Sequence, residues 1–330
     1  MIRMIKHLIV LSFVVTLVYC GLYVLILLPR FAGDTSVFTV KNDQINQASG
    51  LAMSWDNPGI LWTHNDKTLG NVLFALDEAG NTRGQFIIDK SVWDCEDIAV
   101  GPGPDLNLSY IYLADIGDND RRRNVCSIIR FPEPHLNPNT DIATDTLHHF
   151  DTIRFSFPDG SRDAETLLLD PSTRDLFVIS KRDANARIYR IPYPQNTVEI
   201  NTAELVSSIR MTMVVSGDIS MDGHNILLKT YGSVYYWSRF TGEKLQDVFK
   251  REGTRLLYYP EPQGEAICWE QYQTGYYTLS EELLGIECQL VRYEFTDSKR
   301  QHPLTSANLQ LGQRKITTHS IFTFHMQRNE

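Results

Sequence analysis

Glu165-Thr166-Leu167-Leu168-Leu169 is followed by the turn Asp170-Pro171-Ser172-Thr173 and the apolar run Leu176-Phe177-Val178-Ile179-Ser180. An acid opens the first run and a hydroxyl closes the second, the pattern of two short antiparallel strands joined by a tight turn. Four further segments align with the first run: Ser49-Gly50-Leu51-Ala52-Met53, Glu96-Asp97-Ile98-Ala99-Val100, Gly217-Asp218-Ile219-Ser220-Met221 and Glu265-Ala266-Ile267-Cys268-Trp269. In chain order the five starts are 47, 69, 52 and 48 residues apart, and the long interval holds the Pro- and Asn-rich loop 132–144. Second strands follow at 60–63, 110–114, 176–180, 226–229 and 276–280, and third strands at 72–76, 126–131, 187–191, 234–237 and 290–295. A fourth is readable at 152–157 and at 211–215. Four antiparallel strands repeated at this period are the sequence form of propeller blades. After residue 29 no long helical period interrupts them, which argues against βαβ architectures.

The fold class expected is therefore all-β, a β-propeller of four-stranded blades. Five inner strands give five blades, with Ser36-Val37-Phe38-Thr39-Val40 supplying the outer strand of the last. Apolar residues within 303–326 (Ile316, Ile321, Phe322, Phe324) leave six blades as the alternative.

Residues 8–29 carry no charged side chain, and Arg3, Lys6 and Arg30 flank them. As a helix at about 1.5 Å per residue this stretch is about 33 Å long, close to the hydrocarbon thickness of a bilayer. The stronger positive flank precedes it, so the rest of the chain is expected outside the cytoplasm. A cleaved signal peptide or a lipidated Cys20 are the competing readings; the apolar run is long for the first, and Leu17-Val18-Tyr19 suits the second poorly. The expected organisation is a cytoplasmic end (1–7), a transmembrane signal anchor (8–29), a linker with the closing strand (30–45), the propeller (46–297) and a tail or degenerate blade (298–330).

Beyond residue 30 the chain has 28 basic and 40 acidic residues. That balance excludes nucleic acid as a main partner and suits a surface that attracts cations. Cys95, Cys126, Cys268 and Cys288 are few and scattered, so buried thiols rather than a disulfide framework are expected. There is no Gly-x-Ser-x-Gly elbow, no His-Glu-x-x-His and no phosphate-binding glycine loop.

Several motifs resemble those of exported bacterial propeller proteins whose activity is not established. They are Leu61-Trp62-Thr63-His64-Asn65-Asp66, Glu96-Asp97-Ile98-Ala99-Val100-Gly101-Pro102, Ala114-Asp115-Ile116-Gly117-Asp118-Asn119, Asp163-Ala164-Glu165 and Gln263-Gly264-Glu265. More distantly the chain is similar to phytase-like and gluconolactonase/paraoxonase-type propellers. That second resemblance implies calcium in the tunnel and hydrolysis of esters, lactones or phosphoesters.

In a propeller, the residues that open the inner strands gather at one mouth of the central channel, beside the ends of the second strands. Glu96, Glu165 and Glu265 share one repeat position, and Asp97 and Asp218 the next. The second strands end in His64-Asn65-Asp66, Asp115, Lys181, Lys229 and Glu281. So many carboxylates in one place need a cation, lysine partners or raised pKa values. The oxygen-only donor set favours calcium over zinc, with Glu96, Glu165 and Glu265 as ligands and Asp115 and Asp218 as auxiliaries. Asn65, Asp66, Asp97, Lys181, Lys229 and Glu281 would line the channel. Equally, the acids could bond backbone amides, Lys181 and Lys229 to lock adjacent blades, or take a ligand without metal. Two functions follow: a membrane-tethered propeller binding a cation and a polar small molecule or protein, or a calcium-dependent hydrolase with His64 activating water.

Overall fold

The computed structural model describes residues 32–67, 69–137 and 142–295. Strand β1 (Ala32–Thr39) comes first, followed by β2 (Ala48–Met53), β3 (Ile60–Asn65), β4 (Val72–Asp77) and β5 (Thr82–Ile88), which form blade 1. Blade 2 has β6 (Cys95–Pro102), β7 (Ser109–Asp115), β8 (Cys126–Pro132) and β10 (Asp151–Ser156), with β9 (Ala143–Leu147) leaving it. Blade 3 has β11 (Ala164–Leu169), β12 (Leu176–Ser180), β13 (Ala186–Ile191) and β15 (Glu204–Ile209), with β14 (Asn201–Thr202) leaving it. In blade 4, β16 (Val214–Ile219), β17 (Asn225–Thr230) and β18 (Ser233–Ser238) precede the helical turn α1 (Leu245–Val248) and the short β19 (Thr254–Arg255). Blade 5 has β20 (Gly264–Trp269), β21 (Gly275–Ser280) and β22 (Gln289–Phe295), and takes β1 as its outer strand.

The ring closes through that last pairing. β1 runs antiparallel to β22 with Val37 opposite Val291 and Thr39 opposite Gln289, so the start of the described chain is stitched to its end. A closed ring leaves no inner edge exposed, which relieves the edge-strand problem of an open sheet. Two outer edges are covered as well. β9 crosses back to pair in parallel with β5 of blade 1, and β14 does the same to β10 of blade 2.

Inner strands β2, β11 and β20 are buried along their whole length, because each is covered by both neighbouring blades. They therefore read as continuous apolar runs rather than alternating ones. Between blades lie buried apolar layers, such as Phe74, Leu76, Cys268 and Tyr277 between blades 1 and 5. Glu133 holds blade 2 to blade 1: its carboxylate accepts from Trp62 Nε1 at 2.8 Å and from the hydroxyls of Ser54 and Ser109. Cys95, Cys126, Cys268 and Cys288 are all buried free thiols.

Blade 4 differs from the sequence reading. Residues 211–215 were expected as the outer strand of blade 3, but β15 takes that place and Val214 already opens the inner strand of blade 4. The expected span 8–29 and the tail 298–330 lie outside the described residues. Among those described, no helix is long and apolar enough to cross a membrane, and the sheets number five.

Candidate functional site

The same irregularity interrupts every inner strand. Register shifts fall between Ala48 and Gly50, Cys95 and Asp97, Ala164 and Thr166, Val214 and Ser216, and Gly264 and Ala266. A bulge leaves one residue outside the ladder and re-aims its side chain. The five residues so released are Ser49, Glu96, Glu165, Val215 and Glu265. One step past the last ladder residue of each second strand stand Asp66, Ile116, Lys181, Tyr231 and Glu281. Backbone bonds fix three of these: Asp66 N donates to Gln47 O, Lys181 N to Asp163 O and Glu281 N to Gln263 O. Two stacked rings of five positions therefore form the mouth.

Lys181 takes up much of its charge. Its ammonium is ion-paired with Glu165 of its own blade and lies 3.8 Å from Glu265 Oε1 of blade 5. To get there it passes the ring of Tyr231 in blade 4 at 5.1 Å, and Tyr231 itself donates to Glu265. Burial alone would lower the Lys181 pKa, but Glu165, then Glu265 and Glu96, outweigh it and hold the group protonated. For Glu165 and Glu265, the shared cation that the sequence pattern requires is thus an ammonium of the chain itself. Glu281 hydrogen-bonds Glu265, and burial followed by that neighbour pushes it up to about 9.

A second group stands between blades 1 and 2. Oxygens of Asp66, Asp94 and Glu96 lie within 4.8 Å of one another. Lys67 Nζ reaches Asp94 Oδ1 at 2.6 Å and Asp66 Oδ2 at 3.1 Å, yet its side chain is half exposed while that of Asp94 is buried. Burial and the bond to Asp94 push Asp66 up to about 7. Glu96 rises well above its ordinary value through burial, then through Glu165, Asp66 and Asp94. Gly117 closes this cluster from the side. A Cβ there would stand 2.1 Å from Glu96 Oε1 and 2.6 Å from Asp94 Oδ2, so glycine gives the two carboxylates their space.

Several expected site residues lie elsewhere. Asp115 is ion-paired with Arg123 at 2.9 Å and accepts Asp94 N at 3.1 Å, so it supports Asp94 from behind. Asp97 occupies the position of Ser216, not of Asp218. It accepts from Leu167 N at 2.9 Å and Ser216 Oγ at 3.0 Å, tying blade 2 to blades 3 and 4. Asp218, two residues further along its strand, accepts Trp269 N at 2.8 Å and lines a cavity of about 20 Å³ at the opposite mouth. Asn65 is fully enclosed and caps the 44–47 segment through Gln44 O and Gln47 N. Lys229 is also enclosed, bonded to Tyr258 OH at 3.0 Å and to Gly264 O, and burial lowers it to about 8.

His64 is enclosed too. Nδ1 donates to Asn65 O at 2.9 Å, Nε2 faces Gly50, and burial lowers the ring to about 4, leaving it neutral. The structure therefore gives the imidazole no opening to the mouth, the reverse of what a water-activating role there requires. Register explains the misplacement: His64 and Lys229 are ladder residues, opposite Gly50 and Ser216, two residues short of the mouth positions Asp66 and Tyr231.

Asp94, Lys67 and Tyr231 were not singled out from sequence. One signal was present for Asp94: Asp94-Cys95-Glu96 repeats Asp163-Ala164-Glu165 at the same distance from the bulge.

No family model and no curated protein matches the chain. Among solved structures it is similar to the Myceliophteria thermophila Cps50 (Swd1) β-propeller domain, with 14% identity over 76% of this chain and 84% of that one, and a TM-score of 0.38. It is also similar to Kuenenia stuttgartiensis hydrazine synthase, with 9% identity, 74% and 83% coverage, and a TM-score of 0.39.

Proposed function

We propose that the protein is a membrane-tethered, extracytoplasmic propeller whose acidic mouth binds a cation, calcium by its donor chemistry, together with a polar ligand or partner. The observation that carries this is the trio Asp66, Asp94 and Glu96, whose oxygens lie within 4.8 Å of one another and whose ion-pair partner among the described residues is the half-exposed Lys67. Hard oxygen donors at this spacing suit a calcium ion, which Lys67 can vacate by swinging into solvent. The Glu165–Lys181–Glu265 bridge then acts as a fixed wall rather than as ligands. The tether is the uncharged stretch 8–29.

Calorimetric titration of the detergent-solubilised full chain with calcium tests the reading. Saturable binding that Asp94→Asn weakens at least about tenfold, about 1.4 kcal/mol, is the expected result. Absence of heat with calcium, magnesium and manganese would remove it. A hydrolase would use the same cation to activate water, with a raised carboxyl such as Glu281 as proton donor in place of His64. Chelator-sensitive turnover on ester, lactone or phosphoester panels distinguishes that reading.

A further inference from the structure

The path of the chain into the ring fixes which face a tether can hold against a bilayer. β1 begins at Ala32, which pairs with Phe295, and Phe295 N donates to Thr274 O at 2.8 Å. Thr274 belongs to the β20–β21 turn, at the end of blade 5 remote from Glu265 and Glu281. The start of β1 is thus two strand spacings, about 10 Å, from that turn. In sequence only Arg30 and Phe31 separate Pro29, the last residue of the expected span, from Ala32. Three peptide steps reach about 10 Å at most. A helix ending at Pro29 therefore leaves no slack to turn the propeller over.

The surface beside this point has interfacial chemistry. Tyr272, in the β20–β21 turn, is 77% exposed, and Phe240, just after β18, is 64% exposed. Asn225 donates to Gln273, joining blades 4 and 5 at the end remote from the acidic mouth. Around Phe240, residues 239–253 hold four basic and three acidic side chains, in a region of chain that is otherwise strongly acidic. Lys244 is exposed, Lys250 is exposed and ion-paired with Asp247 at 2.7 Å, and the Arg251 guanidinium, paired with Glu243 at 3.0 Å, lies 5.0 Å from the Phe240 ring centroid. Aromatic rings flanked by lysine and arginine are what the headgroup region accepts. The mouth end also exposes apolar side chains, Trp93 and Leu284, so exposure alone does not choose a face. The entry point of the chain does.

We infer that the lower rim of blades 4 and 5 rests on the bilayer surface through Phe240 and Tyr272, and that the acidic mouth faces away from the membrane. This rests on the tether of the preceding section, not on the cation. The ligand of the mouth then arrives from the aqueous side and never competes with lipid headgroups.

The test uses the full chain with Cys20→Ser in phosphatidylcholine vesicles; the propeller's own four cysteines are buried. A nitrobenzoxadiazole probe is placed on a single new cysteine, Phe240→Cys, Tyr272→Cys or Leu284→Cys. Probes at 240 and 272 should shift to the blue and be quenched by acyl-chain nitroxide lipids, while the probe at 284 keeps its emission in water and escapes quenching. Water-like emission at 240 and 272 in protein that resists alkaline carbonate extraction overturns the seating and leaves the tether standing. Quenching at 284 in place of 240 and 272 overturns the orientation. Release by carbonate overturns the tether, and the seating with it.

Discussion

Remove the ammonium of Lys181 and two buried carboxylates, Glu165 and Glu265, are left facing each other without a cation. Breaking a buried pair in this way costs about 3–5 kcal/mol. Lys181→Met should lose that much in urea denaturation at pH 8, and less at pH 5, where the orphaned carboxyls take up protons. Adding Glu165→Gln should restore most of it; equal stability of Lys181→Met and the parent would show that the pair carries no load. Gly117→Ala probes the other cluster. The atoms its Cβ meets are the ends of two side chains, Glu96 and Asp94, rather than backbone. Its stability cost should stay near the low end of the overpacking range, about 1 kcal/mol, while calcium affinity falls because both carboxylates must turn. A calcium titration of this variant identical to that of the parent would detach the glycine from the site. The three glutamates were legible because each opens an apolar run at one repeat position. Their true cation partner was not, because nothing in the order of residues says that Lys181 reaches across blade 4.

The strands themselves were legible wherever burial on both faces produced an unbroken apolar run. Legibility failed at blade 4, where Gly217-Asp218 imitates the opening of the other inner strands. The real counterpart of Glu96 there is Val215, and a search for acids passes over it. That two-residue slip also paired Asp218 with Asp97, although one lines the far cavity and the other crosses the channel. The role of Asp97 belongs to the element scale, since it joins three inner strands. Asp97→Ala would leave Leu167 N and the Ser216 hydroxyl without an acceptor in a fully enclosed place. At about 1–3 kcal/mol for each orphaned group, less the relief of removing a buried acid, the loss should be about 2–4 kcal/mol. Asp97→Asn keeps one acceptor and sheds the charge, so it should cost less. An alanine variant as stable as the parent, measured by urea denaturation, would mean that the inner strands hold their spacing through packing alone.

For the molecule as a whole, the mouth couples stability, pH and cation. Asp66 is raised to about 7 and Glu281 to about 9, and Glu96 stands well above its usual value, each through burial first. In the unfolded chain these carboxyls titrate near 4. Between about pH 4 and 9 these carboxyls thus keep protons in the folded state that the unfolded state has released, and their contribution to stability falls as pH rises through that window. Asp170 and Asp222, held low by arginine or hydroxyl partners, act in the opposite sense below about pH 4. So do His64, lowered to about 4, up to about pH 6.5, and Lys229, lowered to about 8, above that value. Between pH 5.5 and 8.5 the three raised carboxyls outweigh them. The metal-free full chain in detergent should therefore melt at a higher temperature at pH 5.5 than at pH 8.5. Calcium competes with the same protons, so its effect should be largest at the alkaline end. At a hundred times its dissociation constant it adds about 2.7 kcal/mol, or about 5–10 °C for a domain of this size. Binding should also release protons, fewer as the starting pH rises toward 9. Scanning calorimetry at the two pH values, with calcium and with chelator, reads the first effect, and a weakly buffered titration reads the second. A chelated protein that grows more stable from pH 5.5 to 8.5 would contradict the raised carboxyls. A melt that calcium does not move at pH 8.5, with no proton release, would leave the mouth as a set of blade-to-blade locks around Lys181 and Lys67.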